Sequence, residues 1–375
     1  MAGALVTTNV LSTVVAMGLK ALRDRLVMGR IVNREYEGLI TARRRGSTVN
    51  VAVPAAITAR TVAPDVVPPA VTAVTPTSVP ITLDQWKEAP FAMDDKGLMQ
   101  VDAGILPMQA SEAIKSISNA IEDHLMLESK EFYSYVGTAG TTPFASALTA
   151  YLDARKEANN NLMDDDPRYV ILDNDAESNA LGLSQFLKAN ERGDQGGIIK
   201  GEIGEKLGAK WLRASRVYTH TNTGAGTVLV NDASVSVGDT TLTWDGGGTA
   251  PAKGDIFTVA GDTQTYVVES STATVITMFP AAKVAWADNA AVTFKATHVN
   301  NLLISKNSIA FAMAPLIETV SIAGAPSMQS VAIDEESGLS LRLEVTRQHK
   351  QWQWAFDALY GSAVIRRSDG IIIAG

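Results

Sequence analysis

The chain has 375 residues, of which 46% are hydrophobic and 19% charged, so it is long enough for about two or three domains with buried cores. The net charge of −8 excludes a general nucleic-acid-binding role, and the low charged fraction is expected where subunits cover one another. The chain has no cysteine, which excludes disulfides, thiolate nucleophiles and cysteine-based metal sites.

Residues 1–46 predict an N-terminal helical arm. An apolar run from Ala4 to Leu19 raises the question of a signal peptide. No lysine or arginine precedes Lys20, and polar residues interrupt the run, so neither a signal peptide nor a membrane span is expected. We expect a surface or arm helix from about Thr8 to Met28. The arm ends in three arginines that we expect to pair with carboxylates of a neighbouring subunit or to stay solvated: Arg43, Arg44 and Arg45.

Residues 47–90 predict an extended hairpin loop. The segment from Ser47 to Trp86 is apolar, yet its six prolines exclude a helix or a central strand. Ordinary disorder is polar and charged, so it does not fit either. An apolar, proline-stiffened hairpin that lies on another molecule satisfies both facts. The candidate contact residues are at its centre: Val66, Val67, Pro68, Pro69, Ala70 and Val71.

Residues 91–220 predict the first part of a mixed α/β body. A long helix from Pro107 to about Lys130 has one apolar stripe, formed by Ile114, Ile117, Ile121 and Leu125. We expect Glu112, Lys115, Ser118 and Glu122 to point outward. Further along, the sequence predicts helices over 144–158 and 174–187, a glycine-rich loop over 193–204, and strands over 168–172 and 210–215.

Residues 221–298 differ from the rest of the chain, because they hold almost only short β signals and turns. Strands at roughly ten-residue spacing with glycine–aspartate punctuation predict a small sandwich or barrel. We interpret this stretch as a β-domain inserted into the body, which resumes over 299–375. In this last part, Leu339, Leu341, Leu343 and Val345 alternate with polar residues and predict a half-buried strand.

No catalytic or metal constellation is recognisable, so no enzyme activity, cofactor or metal is expected. His124, His220, His298 and His349 lack metal-ligand spacing. Two of the four, His220 and His298, bracket the insertion and could lie close together. A site there would need a third ligand, and none stands out, so we expect surface or hinge histidines.

The order of these parts resembles the major capsid proteins of tailed double-stranded DNA bacteriophages, and among them the short-tailed Salmonella-phage coat type. The resemblance rests also on three local stretches, at 253–282, 301–312 and 359–366. It implies an α+β fold of the Hong Kong ninety-seven type, with N-arm, extended loop, peripheral domain with a spine helix, and axial domain, plus an inserted β-barrel.

The resemblance further implies a virion capsid protein that assembles in the host cytoplasm, without membrane association. Its partners would be other copies of itself in hexamers and pentamers, a scaffolding protein, a portal protein at one vertex, and packaged DNA held non-specifically on the inner face. Some relatives cross-link the extended loop through a lysine. The stretch from Val51 to Trp86 has no lysine, so we expect a non-covalent shell.

A second hypothesis is a phage or cell-surface adhesin whose β-module recognises a ligand. It predicts exposed aromatic side chains on that module, for which Trp244, Tyr266 and Phe279 are the candidates. Burial of these three in the core of the module would explain them equally well.

Overall fold

The computed structural model describes residues 14–22, 26–36, 46–53, 57, 59, 61, 77–95, 105–165, 167–187, 201, 203–231, 234–316, 327–333 and 339–375. The predicted contact residues Arg43–Arg45 and Val66–Val71 and most of the glycine-rich loop lie outside this set. Within the described parts, no helix is both long enough and apolar enough to cross a membrane.

The described part of the N-terminal segment packs on the body along one face, while Ala16, Met17 and Lys20 on the other face are exposed. Helix α1 covers 14–22, and a one-turn helix α2 covers Met28–Ile31. Val15, Leu19 and Leu22 are spaced as one helical stripe and are buried. Gly18 lies so close to the long helix that an added Cβ would sit 2.8 Å from Ile114. The segment is therefore held against the body wherever it is described.

Two strands form the base of the predicted hairpin. Strands β1 (Thr48–Val53) and β2 (Thr77–Thr82) pair antiparallel, with Thr48 opposite Thr82. On one face, Val49, Val51 and Ile81 are buried against the body. The described strands therefore anchor the hairpin in the body.

The long helix α3 runs over Ile105–Leu127 and continues as a 3-10 turn over Glu128–Glu131. Its predicted apolar stripe is buried. Ser118 and Glu122 were expected to point outward, but they are 2% and 5% exposed. The buried face is wider than predicted because α3 packs against the N-terminal segment as well as against a sheet.

The Glu122 side chain shows what the prediction missed. Its carboxylate accepts hydrogen bonds from the backbone N–H groups of Val27 (2.6 Å), Met28 (3.1 Å) and Gly29 (3.4 Å). These N–H groups lie at the start of α2 and have no partners within that helix. A buried carboxylate on α3 therefore caps a helix about a hundred residues earlier in the chain.

A five-stranded antiparallel sheet packs on α3. Its order is β18-β21-β20-β19, and β3 pairs with the other side of β21. The predicted alternating residues from Leu339 to Val345 are buried, which places one face of β20 in the core. The strands are β3 (Gln85–Asp94), β18 (Ile309–Ala314), β19 (Ser327–Ile333), β20 (Ser340–Gln348) and β21 (Gln351–Val364).

A second, mixed sheet forms the other half of the body, with order β4-β22-β17-β5-β7-β6 and with β8 also on β17. Its strands are β4 (Ser134–Gly137), β5 (Arg168–Leu172), β6 (Gly204–Lys206), β7 (Ala209–Arg213), β8 (Thr219–His220), β17 (His298–Ser305) and β22 (Gly370–Ala374). Its helices are α4 (Thr149–Asn160), α5 (Asn174–Gly182) and α6 (Ser184–Leu187).

Two helix predictions in this half need correction. The helix expected from Phe144 begins only at Thr149, since Phe144 adopts a left-handed backbone conformation with φ 68°. The helix expected from Asn174 to Leu187 is two helices. Its N-cap is Asp173, whose side chain accepts a hydrogen bond from the Ala176 N–H at 3.1 Å.

The stretch between β8 and β17 forms a closed six-stranded barrel with order β11-β14-β13-β12-β16-β9. The barrel predicted from the turn spacing is confirmed, and it has its own apolar core. Residues 234–245 contain two strands separated by a turn. The six barrel strands are β9 (Val228–Val230), β11 (Thr241–Asp245), β12 (Ile256–Val259), β13 (Tyr266–Ser271), β14 (Val275–Phe279) and β16 (Ala291–Phe294). Two short strands, β10 (Ser234–Val235) and β15 (Trp286–Ala287), pair with each other outside the barrel.

Candidate assembly surfaces and the barrel junction

The base of the hairpin presents one buried and one exposed face, because side chains alternate along its strands. Thr48, Asn50 and Ala52 are exposed on β1, and Ser78 and Pro80 are exposed on β2. All five are small and uncharged. The predicted contact residues follow in the part of the hairpin that lies outside the described residues.

A partly exposed tryptophan lies where the hairpin leads into β3. Trp86 is 50% exposed, and its indole N–H donates to Asp357 at 3.0 Å. Asp357 is nearly buried and also accepts from the Arg342 guanidinium at 3.0 Å. The ion pair fixes the indole ring in one orientation on the surface. An exposed aromatic ring held in this way is typical of protein contact surfaces.

A cavity of about 580 Å³ opens between β3, α3 and the segment before β8. Gln85 and Lys87 line it, so it lies on the opposite face of β3 from Trp86. Its rim carries a two-pronged ion pair in which the Arg216 Nε–H donates to Asp123 at 2.7 Å. Half-exposed ion pairs of this kind contribute little to stability. Leu127, also on the rim, is 41% exposed. The cavity therefore presents a second mixed polar and apolar surface, separate from the one at Trp86.

Below the cavity, a polar cluster joins α3 to β21. The Ser362 hydroxyl donates to Glu128 at 2.6 Å, and its oxygen lies 2.9 Å from His124 Nε2. Burial raises the pKa of Glu128 and lowers the pKa of His124. These are the residue types of a hydrolase, but the carboxylate contacts the serine and not the histidine. The arrangement indicates a structural role, in which the cluster links α3 to the five-stranded sheet.

The barrel joins the body at β8 and β17, where His220 lies directly opposite His298. Both were expected at a surface or hinge, but they are 3% and 2% exposed. Their proximity, considered from the sequence, is confirmed. The expected exposure was wrong because the sequence does not show which elements cover this junction of β8 and β17, which we call the neck of the barrel.

Asp255 is the residue of the junction that sequence reasoning missed. It is fully buried and accepts from His220 Nε2 (2.7 Å), the Thr223 hydroxyl (2.8 Å), the Ala252 N–H (2.9 Å) and the Gly224 N–H (3.0 Å). Burial alone would raise the pKa of Asp255, but these hydrogen bonds hold it below its usual range. The carboxylate is therefore ionised and joins the entering strand to the barrel.

A second group of ion pairs fixes the barrel from outside. Glu131, just after α3, pairs with Lys253 of the barrel and with Arg367 of the body, the latter at 2.6 Å. Arg367 also pairs with Glu269 of the barrel and lies 4.7 Å from the centre of the Phe279 ring. The barrel is thus held to the body by charge as well as by its two neck strands.

The aromatic residues of the barrel do not form an exposed recognition surface. Trp244 and Tyr266 are 5% and 0% exposed. Phe279 is half-buried beneath Arg367, and the remaining barrel aromatics in the described residues are buried or half-buried. The adhesin hypothesis required exposed aromatic side chains at these positions.

No protein-family model and no curated protein matches this chain. Among solved structures, a chain of Mycobacterium phage Che8 is similar with a TM-score of 0.53 and 14% identity, covering 92% of this chain and 90% of that chain. The two chains share one fold.

Two capsid structures give weaker similarity. For the capsid of the cyanophage P-SCSP1u, the TM-score is 0.49 at 10% identity, covering 87% of this chain and 83% of that chain. For the capsid of a native GTA particle, it is 0.48 at 9% identity, covering 92% and 89%.

Proposed function

We propose that this chain is a structural major capsid protein, which assembles into hexamers and pentamers of an icosahedral phage shell that encloses double-stranded DNA. The observation that carries the proposal is the fold likeness to the phage Che8 chain over nearly the full length of both chains. A shell protein has no catalytic site to assemble, and its function resides in extended surfaces. The protein would then be located in the virion capsid, after assembly in the host cytoplasm.

The hairpin is the proposed reach onto the adjacent subunit. Its buried base gives a firm anchor, and between Thr48 and Leu83 only Arg60 and Asp65 are charged. Apolar area removed from water on docking contributes about 25 cal/mol per Å². We propose that the hairpin centre makes this contact and that the basic triplet pairs with a neighbour's carboxylates: Val66, Val67, Pro68, Pro69, Ala70, Val71, and Arg43, Arg44, Arg45.

We propose the domain division that the resemblance implies, with 1–46 as N-arm, 47–90 as extended loop and 221–298 as inserted domain. The peripheral domain would contain α3 and the five-stranded sheet. The axial domain would contain the mixed sheet of 91–220 and 299–375, whose outer face has a separate apolar core. The inserted barrel supports the finer proposal of the short-tailed Salmonella-phage coat type.

The proposed partners are further copies of the chain, a scaffolding protein, a portal protein and the packaged DNA. The net charge of −8 supports only a non-specific, loose relation to DNA on the inner face. The absence of lysine between Val51 and Trp86 supports a shell without loop cross-links. We propose no membrane partner.

Electron microscopy and sedimentation of the full chain, expressed with and without the neighbouring open reading frames, test the proposal. We expect closed icosahedral shells, or sheets and tubes of six-fold capsomers. A monomer or a discrete trimer that never polymerises at high concentration would contradict it. A monomer or trimer would instead favour a surface-binding protein, a function that no described residue of the barrel supports.

A further inference from the structure

Two buried imidazole rings face each other at the neck of the barrel. His220 on β8 and His298 on β17 are opposite residues of an antiparallel pair, and their ring centres are 5.5 Å apart. Neither ring is used by the packing of the barrel core or by any proposed assembly contact. Their ring nitrogens therefore need partners of their own.

The hydrogen bonds of each ring fix which nitrogen carries the proton. His220 donates from Nε2 to the Asp255 carboxylate at 2.7 Å, and His298 donates from Nδ1 to the Ala296 carbonyl at 2.7 Å. The other nitrogens, Nδ1 of His220 and Nε2 of His298, then carry lone pairs. Both are buried, and neither has a partner among the described residues.

A carboxylate or a backbone carbonyl behind each imidazole is the arrangement by which proteins orient metal-binding histidines. The outer partner fixes the tautomer and the ring angle, and it makes the free nitrogen a better electron donor. Asp255 and the Ala296 carbonyl both stand in that outer position. Two such rings side by side are harder to explain as packing than a single one.

Two asparagines add further buried acceptors without partners. Asn222 donates from its amide nitrogen to the Gly224 carbonyl at 2.7 Å, and Asn300 donates to the Ser129 hydroxyl at 2.9 Å. The Oδ1 atoms of both are buried and have no partner among the described residues. Each asparagine follows one of the histidines by two positions. The unpartnered atoms of this group are therefore all acceptors, and acceptors left unsatisfied in a protein interior are costly.

We propose that His220 Nδ1 and His298 Nε2 bind one divalent transition-metal ion of the zinc class at the neck of the barrel. Imidazole nitrogens suit zinc, copper and nickel, whereas magnesium and calcium prefer all-oxygen sites. No third His, Cys, Asp or Glu joins them in the described residues. Asparagine oxygen or water would therefore complete the coordination.

The charges around the neck are compatible with one bound cation. The ionised Asp255 lies behind His220, and two ammonium groups are directed at aromatic rings: Lys130 over Tyr218 at 4.9 Å and Lys295 over Tyr135 at 5.5 Å. The ion would join the strand that enters the barrel to the strand that leaves it. It would thus close the loop that contains the whole barrel, which restricts the unfolded chain. The proposal does not depend on the capsid role.

Metal analysis of the full chain tests the site. The protein is stripped with chelator, incubated with Zn²⁺ and passed through a desalting column, and its zinc content and Tm are measured. We expect one zinc per chain and a Tm raised by about 2–6 °C. With Mg²⁺ in place of Zn²⁺ we expect no change in Tm. Wild-type protein that retains no zinc would overturn the proposal without the need for any variant.

Two variants locate the ion. His298→Gln removes a proposed ligand, and we expect it to lose both the bound zinc and the rise in Tm. His349→Asn is the matched control, because His349 is exposed and distant in sequence, and it should behave as wild type. If His298→Gln does not fold, His220→Gln takes its place. Zinc retained at one per chain by the ligand variant would show that the ion binds elsewhere and overturn the assignment.

Discussion

The hairpin and the barrel both leave the body as β-structure, yet they bury their apolar residues in opposite ways. The barrel closes on itself, and its core includes Phe257 and Tyr266, both fully buried. The described hairpin is only two strands wide, and two strands alone are marginally stable in water. Its base is stable because Val49 and Val51 pack on the body. A segment with its own core needs no partner, whereas an apolar segment without one does.

The barrel is joined to the body through the buried junction at Asp255, and the hairpin base through its close fit to β21. Disturbing either should cost stability by a different mechanism. Three substitutions, ordered by expected effect, separate these mechanisms from one another and from the packing of the N-terminal segment.

Asp255→Ala should have the largest effect on stability. It leaves the Nε2–H of His220, the Thr223 hydroxyl and three backbone N–H groups without this acceptor. Each buried donor left unsatisfied costs about 1–3 kcal/mol, so we expect a total loss of at least about 3 kcal/mol. Urea unfolding followed by tryptophan fluorescence measures the change. Asp288→Ala, at an exposed barrel position, is the control and should change the unfolding free energy by less than about 0.5 kcal/mol. If the two variants lose equal unfolding free energy, Asp255 does not stabilise the junction.

Gly361→Val should displace the hairpin base at a cost of about 1–3 kcal/mol. A Cβ at Gly361 would lie 2.0 Å from the Thr82 carbonyl oxygen, which is backbone and cannot rotate away. Limited proteolysis should show faster cleavage between β1 and β2, together with a lower Tm. Gly182→Ala is the control, since an added Cβ there meets no atom within 4 Å. A Gly361→Val protein as stable and as resistant as wild type would mean that β2 does not cross β21 this closely.

Glu122 should give the smallest effect, visible as a pH dependence. Burial raises the pKa of Glu122 above 4.5, although the N–H groups of Met28, Val27 and Gly29 oppose this. The folded state then binds the proton more tightly than the unfolded state. Stability is therefore present at low pH and is lost as pH rises from about 4.5 through the raised pKa, by at most about 1.4 kcal/mol per pH unit.

Glu122→Gln should flatten this part of the profile, measured as unfolding free energy between about pH 4.5 and 7. Glu128 and Asp369, whose pKa values burial also raises, would keep a residual slope of the same sign. Glu112→Gln, at an exposed position of the same helix, should leave the profile unchanged. A wild-type slope in the Glu122 variant would mean that other groups carry the dependence.

The elements that the sequence predicted well are those with local signals. The turns at Gly238 and Gly261 and the alternation from Leu339 to Val345 follow from residues close together in the chain. The stripe on α3 is local as well. These signals were sufficient for the barrel, the hairpin base and the long helix.

The predictions that failed concern residues whose hydrogen-bond partners lie far away in the sequence. Glu122 looks like an outward residue on a helical wheel, and its role is fixed by backbone groups some 95 positions away. Asp255 stands in a Lys-Gly-Asp turn that reads as solvated, yet its partner His220 lies 35 positions earlier. The available signal was an aspartate at the start of an apolar strand, between two histidines that bracket the barrel.

The measurement that tests the central claim most directly is the critical concentration for assembly of Val71→Asp, at the predicted contact on the hairpin. A charge there must be desolvated on docking, so we expect at least a tenfold rise, about 1.4 kcal/mol per contact, with an unchanged Tm. Val71→Leu keeps the apolar surface and should assemble as wild type. Shells formed by Val71→Asp at the wild-type concentration would contradict the claim that the hairpin buries its apolar residues on a neighbouring subunit.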